Sequence, residues 1–417
     1  MRIEVPPTAG LPLQWRDLWP GRPRTRLASA LGLPQALLTC SGTAALIVAL
    51  RTLTAASLRR QVVVSAYTCP LVALAVAHCG LQLVLCDLLP GSLELDPVQL
   101  AQRCGGDTLA IIATHLGGRL TDLAPLRRAA EGCGALLIED AAQALGGVHA
   151  DGRPAGLGGD IGFCSLAAGK GLTLYEGGLL MSRHAPLQRS LADTAARLGQ
   201  RDWRWELRRS LELLGYAALY RPQPLRWAYG APVRRALRRG DRVGAAGDRF
   251  GTAIAQHAVG AWREGVGVRA SARWPAFLAQ IREQGRRRSA RLASIPGLSV
   301  IADTPGAQGS WPILMVLLPD AAARESVLAA LWPRGLGVAV PFVHALPDYD
   351  YLDGTVERTP MPNASDFAAR CLSISNSPWL DEARFETIVA TLQAACATAV
   401  GPAPLDLDLV HAAAPSA

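Results

Sequence analysis

Apolar residues in this chain fall into short runs whose period changes along its length. The runs "QVVVSAY" (61–67), "LQLVLCD" (81–87), "DTLAIIATH" (107–115), "ALLIED" (135–140) and "DIGFCSL" (160–166) predict strands, and "GGLLMS" (177–182) predicts a sixth. Runs this short and this apolar suit strands buried on both faces. Helical stretches lie between them. Ser41–Leu50 is entered through a small-residue turn, residues 70–80 begin on Pro and end on Gly, and residues 122–134 end on Gly134. The alternation predicts an α/β domain with a mostly parallel central sheet and helices on both faces. Polar residues recur where the strands end: Ser65, Asp87, His115, Asp140 and Ser165. Open α/β sheets bind ligands beyond the carboxyl ends of their strands, so one crevice is expected to gather these residues.

The texture changes after Ser182. Residues 185–243 are rich in Arg, Leu, Trp and Tyr and read as helical, with a Pro break at 222–224. Residues 253–293 also read as helical, with closure at Gly297. Beyond them "WPILMVLLP" (311–319) reads as a strand, and Ala321–Leu331 and Asp381–Ala395 as helices. The expected organisation is an irregular arm over 1–35, a large α/β domain over 36–245 and a smaller C-terminal α+β domain with its connecting helix over 246–400. A Pro- and Ala-rich tail over 401–417 is expected to be flexible. Residues 198–240 form an aromatic and basic insertion in the large domain.

Composition narrows the function classes. Apolar residues make up 50% of 417, enough for a large core and too many for a disordered chain. The net charge of +8 comes largely from Arg clusters between Arg197 and Arg291. Without zinc-finger spacing, an RNP-type strand or a Lys-rich tract, nucleic acid is not an expected partner. Nine cysteines, with no Cys-x-x-Cys pair, read as buried thiols of a reducing, cytoplasmic compartment. Met1–Pro20 lacks the apolar centre of a signal peptide. Val62–Cys86 contains no Asp, Glu, Lys or Arg and one histidine, His78, but Ser65, Thr68, Pro70 and Gly80 divide it into strand, turn, helix and strand.

Three segments carry candidate chemistry. "CSGTAALIVAL" (40–50) sets Ser41, Gly42 and Thr43 at a helix N-terminus, which suits a phosphate or simply caps the helix. "LLIEDAAQALG" (136–146) ends a strand on Glu139 and Asp140. Successive strand residues face opposite ways, so one carboxylate meets the crevice, to hold a ligand cation or to cap the next helix. "SLAAGKGLTLYEGG" (165–178) contains Lys170, the only lysine in the chain. Between glycines and apolar strands, it is either an imine-forming amine or a surface-loop residue.

In this order the segments resemble the DegT/DnrJ/EryC1/StrS family of PLP-dependent sugar aminotransferases, on the fold-type I scaffold. Gly42–Leu46 is similar to the family's phosphate turn, "SAYTCP" (65–70) to its Pro-x-Tyr/Thr-Phe segment, and "THLGG" (114–118) to its Val-His-Leu-Tyr-Gly motif. Glu139–Ala144 is identical to its Glu-Asp-Ala-Ala-Gln-Ala motif. Gly159, Asp160, Gly162, Ser165, Lys170 and Glu176–Gly178 match its lysine block, and His344, Pro347 and Tyr349 its C-terminal motif. The resemblance implies pyridoxal 5'-phosphate as cofactor and Lys170 as the lysine that carries it. It implies Asp140 on the pyridine nitrogen, Gln143 on the ring hydroxyl, Tyr67 over the ring, and Gly42, Thr43 and Ser165 at the phosphate. His115, Arg119, Arg249, His344 and Tyr349 are implied at the substrate. Gly117 stands where the family has Tyr, Arg119 where it often has Gln, and Arg249–Gly251 where it has Asn-Tyr-Arg from the partner subunit. The implied activity is transfer of an amino group, from glutamate, to a keto sugar carried on a nucleotide, by a homodimer with shared active sites. A non-sugar or lipid-linked keto substrate, and a regulatory scaffold without turnover, are the alternatives. The interleaved basic and aromatic residues of 198–240 suit an extra lid, an interface or peripheral contact with a membrane.

Overall fold

The apolar runs pair as their period demands. The computed structural model describes residues 3–21 and 24–400; the 401–417 tail lies outside them. The first sheet holds β1 (Leu37–Thr39), β2 (Gln61–Ser65), β3 (Gln82–Cys86), β4 (Thr108–Thr114), β5 (Leu136–Asp140), β6 (Ile161–Ser165) and β7 (Gly178–Met181), in the order β1-β7-β6-β5-β4-β2-β3. Strands β3, β2, β4, β5 and β6 are mutually parallel, whereas β7 and β1 add antiparallel at one edge. Residues 62–65, 108–113 and 161–165 are buried without alternation, because helices cover both faces. β1 is too short for any period to announce it.

The second sheet is antiparallel, in the order β10-β11-β9-β8. Its strands are β8 (Ser299–Val300), β9 (Ile313–Leu317), β10 (Val338–Ala339) and β11 (Cys371–Ser375). The helices Ala321–Leu331 and Glu382–Val400 bury Val327, Leu331, Phe385 and Leu392 with Leu314, Val316 and Ile374 in a second core.

Two features of the middle segment differ from expectation. Pro222 and Pro224 open a helix there instead of breaking one, because a proline in the first turn forfeits no hydrogen bond. The breaks fall at residues 199–202 and 220–221, between the helices Ala185–Leu198, Trp203–Leu219 and Pro222–Leu225. Residues 251–260 are not helical; the next helix, Ala261–Ser271, starts after Gly260. No described helix is long and apolar enough to cross a membrane.

The described part of the arm is not wholly irregular: it holds two single-turn helices, Trp15–Leu18 and Leu27–Ala30. Val5, Ala9, Leu11 and Leu13 are buried. Backbone N–H groups of Glu4, Val5, Ala9 and Leu11 donate to the carbonyls of Pro222, Gly335, Pro312 and Gly171 at 2.7–2.9 Å. The arm therefore ties the insertion and the second sheet to the loop that carries Lys170.

Candidate active site

Strand β5 delivers its two carboxylates to opposite sides. Glu139 is fully buried and saturated with donors. Its Oε1 accepts from His115 Nε2 (2.7 Å), His149 Nε2 (2.6 Å) and the Gly156 N–H (2.7 Å). Its Oε2 accepts from the Gly158 and Gly159 N–H groups at 2.6 and 2.9 Å. Burial alone would raise its pKa; the two histidines outweigh burial and hold it below the ordinary carboxylate range. His115, Glu139 and His149 are close enough to share a metal ion. However, His115 Nδ1 accepts from the Thr121 N–H at 3.1 Å, so its Nε2 carries the proton given to Glu139. The cluster is a hydrogen-bonded buttress behind β5, and His115 points into it.

Asp140 lies on the other side, also buried, and accepts from the Ala142 N–H at 3.0 Å. Burial raises its pKa, opposed by that N–H and by the charge of Lys170. Lys170 sits in the loop between β6 and β7, and burial of its amine holds its pKa below the ordinary lysine value. Cys69 and Asp140 are the groups whose charge opposes this. No hydrogen bond or ion pair ends on the Lys170 amine among the described residues.

The loop backbone is fixed from outside. Thr8 Oγ1 donates to the Gly169 carbonyl, and Leu11 N–H to that of Gly171. A Cβ on Gly171 would stand 2.5 Å from the Trp274 ring, and one on Gly10 2.9 Å from the Lys170 carbonyl. Both positions need glycine because another segment of the same chain packs against them.

A third corner forms where the helix Gly42–Ala56 begins. Ser41 Oγ accepts from the Ala44 N–H at 2.9 Å, leaving the first-turn N–H groups of Gly42 and Thr43 without intrahelical partners. Ser165, at the end of β6, lies against this turn, and a Cβ on Gly42 would come within 3.1 Å of its own Cβ. Gln143 accepts from the Gly117 N–H at 2.7 Å through Oε1, and its amide NH2 has no partner among the described residues. A half-buried amine, a buried carboxylate, a free amide donor and a small-residue helix start suit an aldehyde-bearing, phosphorylated aromatic cofactor with a basic ring nitrogen.

The remaining predicted residues are dispersed. Tyr67 is buried with its ring against Phe342 and Phe367, and its hydroxyl donates to the Phe342 carbonyl at 3.0 Å. Two residues on, Cys69 is the side chain coupled to Lys170 and Asp140, and burial pushes its thiol up to about 12. Arg119 is buried and ion-paired with Glu94. Tyr349 donates to Asp248 Oδ2 at 2.9 Å and accepts from the Val343 and His344 N–H groups. Burial pushes Asp248 up to about 6, against the Val343 and Tyr349 hydrogen bonds. His344 is half-buried beside Tyr349 and lines a hollow of about 390 Å³ with Arg242 and Arg324. Arg249 is largely exposed, 3.7 Å from Asp241. The sequence reading passed over Cys69 and Asp248; Asp248 lacked a motif, and Cys69 stood inside one, two residues from the aromatic.

Comparison with known proteins follows the same outline. The profile of the DegT/DnrJ/EryC1/StrS aminotransferase family matches residues 24–208 and 265–393, and passes over 209–264, where Arg249 lies. The L-glutamine:2-deoxy-scyllo-inosose aminotransferase of Streptoalloteichus tenebrarius is 40% identical over 108 residues, 26% of this chain and 25% of that one. A GDP-perosamine synthase of Caulobacter vibrioides is 34% identical over 120 residues, 29% and 32% of the two chains. These matches span no more than a third of either relative. The aminotransferase TlmJ from Streptoalloteichus hindustanus superposes with a TM-score of 0.67 at 22% identity over 89% of each chain, a likeness of fold.

Proposed function

This chain belongs to the DegT/DnrJ/EryC1/StrS aminotransferase family, and from that premise we propose that it is a pyridoxal-phosphate-dependent aminotransferase. Its acceptor is the keto group of a nucleotide-linked sugar and its amino donor is glutamate. The observation that carries the reading is Lys170: the only lysine of 417 residues is half-buried, its amine coupled in charge to Asp140 and without a hydrogen-bond partner among the described residues.

Bound pyridoxal phosphate supplies an electron sink for the carbon that loses its proton. The chain's own groups do the rest. The Lys170 amine holds the cofactor covalently and, once released, takes and returns the proton at the substrate carbon. Burial favours its neutral form, which a base requires. The Asp140 carboxylate would pair with the protonated ring nitrogen of the bound cofactor. The Gln143 amide donates to the ring hydroxyl. The N–H groups of Gly42 and Thr43, with the Ser165 hydroxyl, receive the phosphate. Cys69 would line the cofactor site near Lys170 and Asp140, with Tyr67, the residue the resemblance sets over the ring, two positions before it. Arg249 and His344 are proposed toward the anionic substrate, Arg249 across a dimer. His115, Arg119 and Tyr349 support the walls through Glu139, Glu94 and Asp248.

The name of the Caulobacter relative favours the nucleotide sugar. The name of the Streptoalloteichus tenebrarius relative favours a second reading, a free cyclic ketone with glutamine as donor. Absorption spectra of the cofactor-loaded protein separate them. On the first reading glutamate bleaches the visible band and a keto nucleotide sugar restores it; on the second, glutamine and a cyclic ketone do so. A band unmoved by either donor contradicts both.

A further inference from the structure

The helix Trp203–Leu219 turns its polar residues inward. Trp205 Nε1 and the Arg209 guanidinium donate to Glu176, and Glu206 pairs with the buried Arg263. Tyr216 stacks on Tyr220 with ring centroids 4.4 Å apart, and the Tyr220 hydroxyl donates to the Thr8 carbonyl at 3.0 Å. The outward face is apolar. Trp203, Leu207, Leu211, Leu214 and Ala218 fall within about 80° of arc at 100° per residue, and all five are exposed, Trp203 by 70% and Leu211 by 59%. Arg204 and Arg208 border this stripe on one side. A globular helix ordinarily faces its apolar stripe to the core; here a second one faces out.

Charge indicates what covers it. Residues 198–240 hold ten arginines against Asp202, Glu206 and Glu212, a net +7 of the chain's +8. The acidic three are engaged: Asp202 caps the helix, Glu206 holds Arg263, and Glu212 pairs with Arg208 and Arg209. Most of this charge lies in the insertion around the helix, and a second copy of so basic an insertion would be repelled. Apolar residues with Trp at one end, bordered by cations, match an interfacial helix that lies in an anionic bilayer surface. We infer that the Trp203–Leu219 helix docks the protein onto an anionic lipid surface, apolar stripe inserted and arginines at the phosphates. No described helix can span a membrane, so the contact lies on it. The inference does not depend on the aminotransferase reading.

The test is co-sedimentation of the full chain with vesicles of phosphatidylcholine alone and of phosphatidylcholine mixed with phosphatidylglycerol. The expected result is partitioning onto the anionic vesicles only, weakened by salt. Leu207→Ser with Leu211→Ser should reduce it by about tenfold or more, and Arg204→Gln with Arg208→Gln should flatten its salt dependence. Trp203→Gln, a change at an exposed site, is read alongside, so the result stands if the leucine pair unfolds. Three outcomes overturn the inference: no partitioning of the parent onto anionic vesicles; apolar variants that bind as well as the parent, as an acidic protein partner would allow; or apolar variants that turn a dimer into a monomer, which would make this face a contact between copies.

Discussion

Lys170 has no substitute elsewhere in the chain, which makes its removal unusually clean to read. The Lys170→Ala protein is expected to lose both the visible absorbance of bound cofactor and the borohydride-stable adduct, because no other side-chain amine remains. Retention of either signal would assign the covalent link elsewhere. Asp248 makes a different prediction. Its folded pKa of about 6 lies above the ordinary aspartate value near 3.9. Between those values the folded protein binds a proton that the unfolded chain does not. The stability it confers is therefore full below about pH 4, lost as pH rises to about 6 and level above. Asp248→Asn keeps an acceptor for Val343 and Tyr349 but does not titrate. Between about pH 4 and pH 7 the parent should lose on the order of 3 kcal/mol more than the variant. Urea unfolding at the two pH values measures this; a parent–variant difference that stays constant with pH contradicts it.

Secondary structure positions these residues, and the lysine loop shows how tightly. Gly171→Ala would drive a Cβ into the rigid Trp274 ring at 2.5 Å. It should cost about 1–3 kcal/mol and lower cofactor retention along with the melting temperature. A Gly171→Ala protein that melts and binds cofactor like the parent would show that the loop yields. Much of this architecture was legible in the sequence. The strands from Gln61 to Met181 are apolar runs with polar ends, and the Glu139–Ala144 and Ser165–Gly178 segments bring their own spacing. What was illegible depends on distant partners. β1, β8 and β10 have two or three residues each, too few for a period, and exist because β7, β9 and β11 offer them edges. Tyr67 carries an aromatic signal, but Phe342 and Phe367, far along the chain, draw its ring into the core and leave Cys69 beside Lys170. The Trp and Tyr residues of 198–240 looked alike, yet Tyr216 and Tyr220 pack inward while Trp203 and Trp227 stand in solvent.

For the molecule as a whole, the sharpest question is whether one chain completes the site. Arg249 is largely exposed in the single chain, and a shared-site homodimer predicts that it serves the partner's site. Coexpressed Lys170→Ala and Arg249→Ala chains, isolated as the mixed dimer, should then regain up to about half the activity, since one of the two sites holds both residues. A mixed dimer as inactive as its parents, or a monomer at working concentration, would mean that Arg249 acts within its own chain or not at all. The arm raises another matter, that of time. Thr8 meets Gly169 across 161 residues, and Tyr220 reaches back to Thr8 across 212. Residues 3–13 are thus made first and seated late, since the loops that receive them, as far along as Gly335, have yet to be synthesised. Contacts this distant in sequence close slowly. A newborn chain should gain its parallel sheet before it gains a walled lysine loop, and in refolding the far-ultraviolet signal should return ahead of tight cofactor uptake.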